Sequence, residues 1–235
     1  LRSDPHTTID ARPGDVAVVM FTSGSTGGPK GVLLTHQRLV YKARTLLGVH
    51  GLGRDDVVLV PSPMAHIAGL SNAVMLPGVG GFRAVMMDRW DAGRALDLIR
   101  DEGVTFMMGP PTYFQMMMAA PGFSSEAVAT MRLISCGGAG VTPAFARAAS
   151  EAFGAVVKRT YGSTEAPAVT TWHAGDPLER AWTHDGRATG SVRIRVVDPT
   201  TGEDRPAGEP GEVWLRGPQL FVGYTDPPRN EGTIT

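Results

Sequence analysis

Cysteine is nearly absent. Cys136 stands alone among 235 residues, so no internal disulfide can form, and the expected setting is a reducing one, by default the cytoplasm. Long apolar runs are missing too: nothing approaches the roughly 20 consecutive apolar residues that a membrane-crossing helix needs, and the opening LRSDPHTTID holds no signal-peptide core. Charge of one sign is not concentrated anywhere. The formal net charge is −1, which offers no electrostatic footprint for nucleic acid or an anionic membrane. The six histidines include no pair at zinc-ligand spacing, and Asp176, Glu179 and Asp185 form no recognisable acid/base pair. No internal repeat or low-complexity tract breaks the chain. An initiating methionine is lacking, and DPPRNEGTIT ends without a cap or apolar element, so both ends read as cuts in something longer. What remains is ordinary globular composition, 42% hydrophobic and 19% charged, sufficient for one sizeable core or two smaller ones.

The apolar pattern alternates between strand and helix periods. Val16 to Phe21 and Gly31 to Leu34 read as strands on either side of a Gly-rich loop, and Thr35 caps a helix through Leu39, Val40, Ala43, Leu46 and Leu47. Val57 to Val60 is a buried-type strand closed by Pro61 and Pro63. Asp91 caps a helix stopped by Gly103, and Val104 to Met108 returns as a strand. The unit recurs as strand Met131 to Ser135, a helix from Thr142 and Pro143 to Gly154, and strand Ala155 to Thr160. Such alternation predicts an α/β fold, layered mixed and parallel sheets with flanking helices. After Trp172, Val192, Ile194 and Val196 alternate with arginines, and Glu212 to Arg216 alternates again, predicting a small antiparallel β subdomain over 172–235 behind a core over 1–171. Met116 to Met118 reads as core filler.

Some stretches carry chemistry. In Phe21-Thr22-Ser23-Gly24-Ser25-Thr26-Gly27-Gly28-Pro29-Lys30-Gly31, glycines let successive N–H groups converge on an anion, hydroxyls add donors and Lys30 adds a point charge. It is not the triphosphate loop that places Lys-Ser/Thr at a helix start, and composition alone leaves a plain hairpin turn equally open. Tyr161-Gly162-Ser163-Thr164-Glu165 follows a strand, where α/β sheets collect ligands; Thr164 suits a phosphate and Glu165 suits Mg²⁺, although a solvated loop acid is the simpler reading of Glu165 taken alone. Gly137-Gly138-Ala139-Gly140 also follows a strand and admits a flat ring. His66, in Pro63 to Gly69, stays open between a core histidine and a site residue, and Cys136 reads as a small buried hydrophobe.

Together these stretches resemble, in order, the motifs of the adenylate-forming superfamily of acyl-CoA synthetases, luciferases and nonribosomal-peptide adenylation domains. The phosphate loop is similar to Thr22 to Gly31, the histidine motif to Pro63 to Gly69, the adenine-side motif to Gly137-Gly138-Ala139, and the Tyr-Gly-x-Thr-Glu motif to Tyr161 to Glu165. Gly211-Glu212-Val213 and Gly223-Tyr224 fall in familiar places, whereas the family's Gly-x-x-Gly-x-Pro is reduced to Gly186 and Gly190. The resemblance implies ATP-dependent activation of a carboxylic acid to an acyl-adenylate, then transfer to coenzyme A, with Mg²⁺. It implies that Thr22, Ser23, Gly24, Ser25, Thr26, Gly27, Gly28 and Lys30 hold phosphates with Thr164, that Glu165 holds the metal, and that Gly138, Ala139, Tyr161 and Gly162 flank the nucleotide. His66, Met64, Ile67, Gly162 and Ala166 would border the acyl group. It also implies that the ribose aspartate and the lysine-bearing lid domain lie past Thr235, so the chain alone is expected to make no acyl-CoA. Two other readings stand beside this one: a noncatalytic ATP-binding fragment, and an amino-acid or aryl-acid adenylation domain that loads a carrier protein. Ala65, His66 and Ile67 offer no acid to anchor an amino group, which favours the CoA ligase, and a homodimer is left open.

Overall fold

The computed structural model describes residues 10–22 and 28–233. It begins with an antiparallel hairpin, β1 (Val16–Thr22) and β2 (Lys30–Thr35), whose register pairs Thr22 with Lys30 at the base of the Gly-rich connection. Thr35 then turns the chain into α1 (His36–His50): it is extended and its hydroxyl accepts from the Arg38 amide at 3.4 Å, while Gly51 ends the helix at φ 60°. There follow β3 (Val57–Val60), α2 (Ile67–Leu70), a π-helical turn over Ser71–Met75, α3 (Leu76–Gly80), β4 (Arg83–Met86), α4 (Ala92–Glu102), β5 (Phe106–Gly109), α5 (Pro111–Met118), β6 (Leu133–Gly137), α6 (Pro143–Phe153) and β7 (Val156–Tyr161). The last part adds β8 (Thr170–Thr171), α7 (Leu178–Thr183), β9 (Arg187–Ala188), β10 (Arg193–Val197), β11 (Glu212–Arg216), β12 (Gly223–Tyr224) and a 3-10 turn at Pro227–Asn230.

The predicted α/β architecture is present. A seven-stranded sheet has the order β4-β3-β5-β6-β7-β8-β9, parallel from β4 to β7 and antiparallel through β8 and β9. Strands in parallel sheets are covered on both faces, and period-2 alternation divides them between two cores. Val57, Leu59, Met107, Ile134, Cys136 and Val157 join the apolar faces of α4, α5 and α6. Val58, Val60, Phe106, Leu133 and Val156 meet Ala43 and Leu46 of α1 and Leu76 of α3. Burial raises the Cys136 thiol to about 12, so it is inert packing, as read from the sequence. The expected antiparallel ribbon is β10 with β11, but the same late stretch also returns β9 to the large sheet and β12 to the edge of β2.

Several details depart from the apolar pattern. β5 and β6 begin two residues later than their apolar runs, because Thr105 and Arg132 turn towards Asp56 at the mouths of the strands. Thr105 Oγ1 donates to Asp56 at 2.6 Å and accepts from the Val57 amide at 3.1 Å, and Arg132 binds the same carboxylate at 2.7 and 2.8 Å. Of the three methionines read as filler, Met117 alone is fully buried; Met116 is 51% exposed, its sulfur accepting from the Trp90 indole at 3.3 Å. The short helices α2, α3, α5 and α7 carry too few turns to show a helical period.

The α1 side of the sheet contains buried cations. Lys42 on α1 donates to Ser71 Oγ at 2.9 Å, and Lys158 on β7 donates to the carbonyls of Val49 at 3.3 Å and Trp172 at 3.1 Å. Arg132 reaches the carbonyls of His50 and Gly51 at 3.4 and 2.8 Å. Lys158 and Arg132 therefore sit at the C-terminal carbonyls of α1, the negative end of its dipole. Asp56 is pushed up by burial, but its hydrogen bonds to Arg132, Thr105 and Gly53 outweigh that and hold it below the usual carboxylate value. His50 is kept neutral by burial and by the neighbouring charges of Lys158 and Arg132. Burial draws Lys42 to about 7, and burial together with the Arg132 charge draws Lys158 to about 7. The unfolded chain keeps both lysines protonated up to 10.5. Between these values it binds more protons than the folded protein, so stability climbs as pH rises from 7, and below 7 the full cost of burying the charges is present. We expect urea-unfolding midpoints to rise from pH 6.5 to pH 9. Lys42→Met should flatten that slope and stabilise the protein at pH 6.5 by about 1 kcal/mol or more.

Candidate functional site

Because β3, β5, β6 and β7 run parallel, the loops after their carboxyl ends lie along one edge of the sheet. The loop after β3 carries Met64 and His66, the loop after β6 carries Gly138 and Ala139, and Tyr161, the last residue of β7, leads into a loop that carries Gly162 to Glu165. The strand order reverses between β3 and β5, since β4 lies outside β3, and the His66 loop borders that switch point.

Close backbone approach shapes the β6 and β7 loops. A Cβ on Gly137 would fall 2.4 Å from the Thr160 carbonyl oxygen, and one on Gly162 would fall 2.3 Å from the Ala168 nitrogen. The loop after β7 is wound on itself: Ser163 N–H donates to the Ala166 carbonyl at 3.1 Å, Ser163 Oγ accepts from Ala166 N–H at 3.2 Å, and Val169 N–H donates to Tyr161 at 2.7 Å. Ala168, at φ 50°, is the one non-glycine with positive φ among the described residues, a conformation that must be held in place by its surroundings. Beneath it Ser135, Thr160 and Thr171 form a buried hydroxyl chain at 2.7 and 2.9 Å. Thr171 donates onward to the Arg159 carbonyl at 2.9 Å, which orients the chain from Ser135 to Thr160 to Thr171 and satisfies each link.

Lys30, at the start of β2, and the Glu165 loop meet at Tyr224. Glu165 is half-buried, and its Oε1 accepts from Tyr224 Oη at 2.9 Å. Lys30 Nζ lies 5.3 Å from the centroid of the same ring, within cation–π range. Burial, then the hydrogen bond and charge of Glu165, raise the Tyr224 phenol to about 12, so it remains a donor at neutral pH. Arg229 donates to the Gly28 carbonyl at 3.2 Å, securing the lysine-side limb of the connection. Ser23, Gly24, Ser25, Thr26 and Gly27 lie outside the described residues. No group of three or more His, Cys, Asp or Glu side chains gathers for a metal among the described residues. Glu165 suits Mg²⁺ nonetheless, because that ion is commonly held by one or two carboxylates with substrate phosphates and water completing the shell, and Tyr224 engages only one carboxylate oxygen.

His66 is exposed and caps α2: Nδ1 accepts from the Ala68 amide at 3.1 Å, which leaves Nε2 as the donor in the neutral ring. Met64 is exposed as well, but Ile67 is buried with Met20, Val32, Leu34, Leu39 and Tyr224, and Ala166 is buried with Val169 and Val192. Gly138, Ala139 and Tyr161 are exposed at the edge, and Thr164 is half-buried beside Glu165. Among the described residues no hydrogen bond or ion pair joins His66 to Thr164 or Glu165. The residue that joins the loops, Tyr224, belongs to a two-residue strand with no pattern of its own. Its legible signal was only the Gly-Tyr pair.

The lysine at the base of the Gly-rich hairpin and the Glu165 carboxylate thus meet at the carboxyl edge of a parallel sheet, where α/β folds collect ligands. The family model for AMP-binding enzymes matches residues 2–225, and the chain belongs to that family. It is 32% identical over 222 residues to the medium-chain fatty-acid–CoA ligase of Escherichia coli strain K12, covering 94% of this chain and 39% of the relative. It is 34% identical over 218 residues to a feruloyl-CoA synthase of an Amycolatopsis species, covering 89% of this chain and 42% of the relative. The crystal structure of ATP-bound MatB from Rhodopseudomonas palustris superposes with a TM-score of 0.88 at 30% identity, over 96% of this chain and 44% of that one. The chain thus spans about two fifths of the length of the curated relatives it matches. No helix among the described residues is long and apolar enough to cross a membrane.

The approach of Gly162 to Ala168 leaves no room for a methyl group. Gly162→Ala should lower stability by about 1–3 kcal/mol, the scale of overpacking a tight site. Urea denaturation reads the loss, and a midpoint equal to that of the parent would show that the loop yields easily.

Proposed function

We propose that the whole protein to which this chain belongs is an acyl-CoA synthetase. A carboxylate attacks the α-phosphate of ATP, forming an acyl-adenylate and releasing pyrophosphate; the thiol of coenzyme A then takes the acyl group and AMP leaves. The observation that carries this reading is the convergence on Tyr224 of Lys30 from the Gly-rich hairpin and Glu165 from the Tyr-Gly-Ser-Thr-Glu loop. The names of the relatives, CoA ligases for fatty and aromatic acids, support the reaction class.

In this reading Thr22 to Gly31 bind the phosphates that depart, with Lys30 supplying charge and Thr164 a hydroxyl donor. Glu165 would hold Mg²⁺, which when bound would supply charge neutralisation to the phosphates. Gly138, Ala139, Tyr161 and Gly162 flank the nucleotide where small residues leave the backbone open to a flat ring. His66 borders the acyl carboxylate as a donor through Nε2 and Met64 contributes exposed apolar surface near it, whereas Ile67 and Ala166, buried in their own clusters, back this surface from beneath and do not line it. The division into a nucleotide- and acyl-binding core over 1–171 and a β-rich subdomain over 172–235 belongs to the same reading, with β9 and β12 tying the second to the first. A cytoplasmic setting follows from the substrates, and a homodimer is compatible with it.

The test is a panel of carboxylic acids offered to the whole protein with Mg-ATP and scored for pyrophosphate release. Release that requires an acid supports the proposal, and ATP binding without any release would instead favour a noncatalytic nucleotide-binding role. Glu165→Ala should lower release by two or more orders of magnitude, since a metal on the phosphate oxygens is worth several kcal/mol in the transition state. His66→Ala, at an exposed cap, should reduce turnover while shifting stability by no more than about 1 kcal/mol. Full activity in either variant would remove that residue from the scheme.

A further inference from the structure

We propose that Tyr224 is a positioning residue, whose hydroxyl fixes the Glu165 carboxylate while its ring face holds the Lys30 ammonium at a set distance from that carboxylate. The inference rests on the reading of Glu165 as the magnesium-binding residue and goes beyond it. Tyr224 is suited to the task because it is itself immobilised. It is 6% exposed, its backbone pairs with Val32 of β2, and its N–H donates to Asn230 Oδ1 at 2.8 Å. Its ring packs on Phe221 at 4.9 Å between centroids. The Phe221 amide in turn donates to the Glu165 carbonyl at 2.8 Å, and the Arg38 guanidinium donates to the carbonyls of Leu220 and Phe221. Glu165 is therefore held through both its main chain and its side chain by one short segment of chain.

Two physical consequences follow. A glutamate free to rotate must be ordered when a metal arrives, and a hydrogen bond from a fixed phenol to one oxygen removes much of that ordering cost while leaving the other oxygen to coordinate. Lys30 and Glu165 carry opposite charge at neighbouring places, and a direct ion pair would quench both groups. Among the described residues Lys30 makes no such pair: its ammonium lies over the Tyr224 ring, while the carboxylate accepts from the hydroxyl at the edge of that ring. A cation over a π face keeps its N–H groups available to a phosphate.

The experiment uses the whole protein and Mn²⁺ as the probe, with electron paramagnetic resonance measuring free Mn²⁺ at saturating ATP and calorimetry measuring ATP binding without metal. Tyr224→Phe keeps the ring and loses the hydroxyl: it should weaken Mn²⁺ binding about tenfold, the scale for a residue supporting a metal ligand, with metal-free ATP affinity within about twofold and an unchanged melting temperature. Tyr224→Leu loses both contacts and should weaken ATP binding without metal as well. Excess Mg²⁺ should restore pyrophosphate release in Tyr224→Phe and should not restore it in Glu165→Ala. If Glu165→Ala abolishes Mn²⁺ binding while Tyr224→Phe binds like the parent, the role given to Tyr224 is wrong. If Glu165→Ala leaves Mn²⁺ binding intact, the reading of Glu165 fails first.

Discussion

In a parallel sheet each strand must be reached by a crossover, and each crossover lays a helix on one face or the other. For β3 to β7 this has two results. Both faces of every strand need a partner, which α4, α5 and α6 supply on one side and α1 and α3 on the other. All carboxyl ends also emerge at one edge, so motifs far apart in the chain are delivered to a common rim without any contact having to draw them there. The His66 loop, the Gly138 loop and the Glu165 loop owe their proximity to strand direction.

The rim is then tightened by a segment that returns from late in the chain. Gln219 Nε2 donates to Thr189 Oγ1 at 3.2 Å, and Thr189 donates to the carbonyl of Ala168 at 2.7 Å. Phe221 holds the Glu165 carbonyl from the other side, and Tyr224 holds its carboxylate. The loop after β7 is thus gripped at both ends, which accounts for a positive φ at an alanine. The same segment lies along β2 through β12, so the Gly-rich hairpin and the acidic loop share one support.

The α1 face shows what a sheet tolerates when its polar groups have partners. Lys158 is almost wholly buried, yet it finds two carbonyls and the face of Trp172 at 5.8 Å. Arg132 binds Asp56 and the end of α1 together. These contacts fix the angle at which α1 leaves the hairpin and lies across the sheet. They also explain why a strand with a lysine at its centre, Val156 to Tyr161, pairs as an interior strand.

What the sequence determined by itself was whatever is local. Thr35, Asp91 and Thr142 cap helices where cap residues precede an apolar period, and Gly51, Gly103 and Gly154 end them in left-handed backbone. The buried strands announce themselves as short apolar runs, β-branched in β3 and at the start of β7, and the Gly-rich, Tyr-Gly-Ser-Thr-Glu and histidine motifs are contiguous enough to be recognised as a set. The short helices α2, α3, α5 and α7 were not readable, being shorter than the windows in which a period shows. The two-residue strands β8, β9 and β12 were invisible for the same reason, since pairing and not propensity makes them strands. Nor could the sequence reveal that Tyr224, 59 residues from Glu165 along the chain, stands 2.9 Å from it in space. Only the tertiary structure decided that contact, because it depends on β12 docking against β2 and on parallel strands ending together, and no local pattern encodes either event.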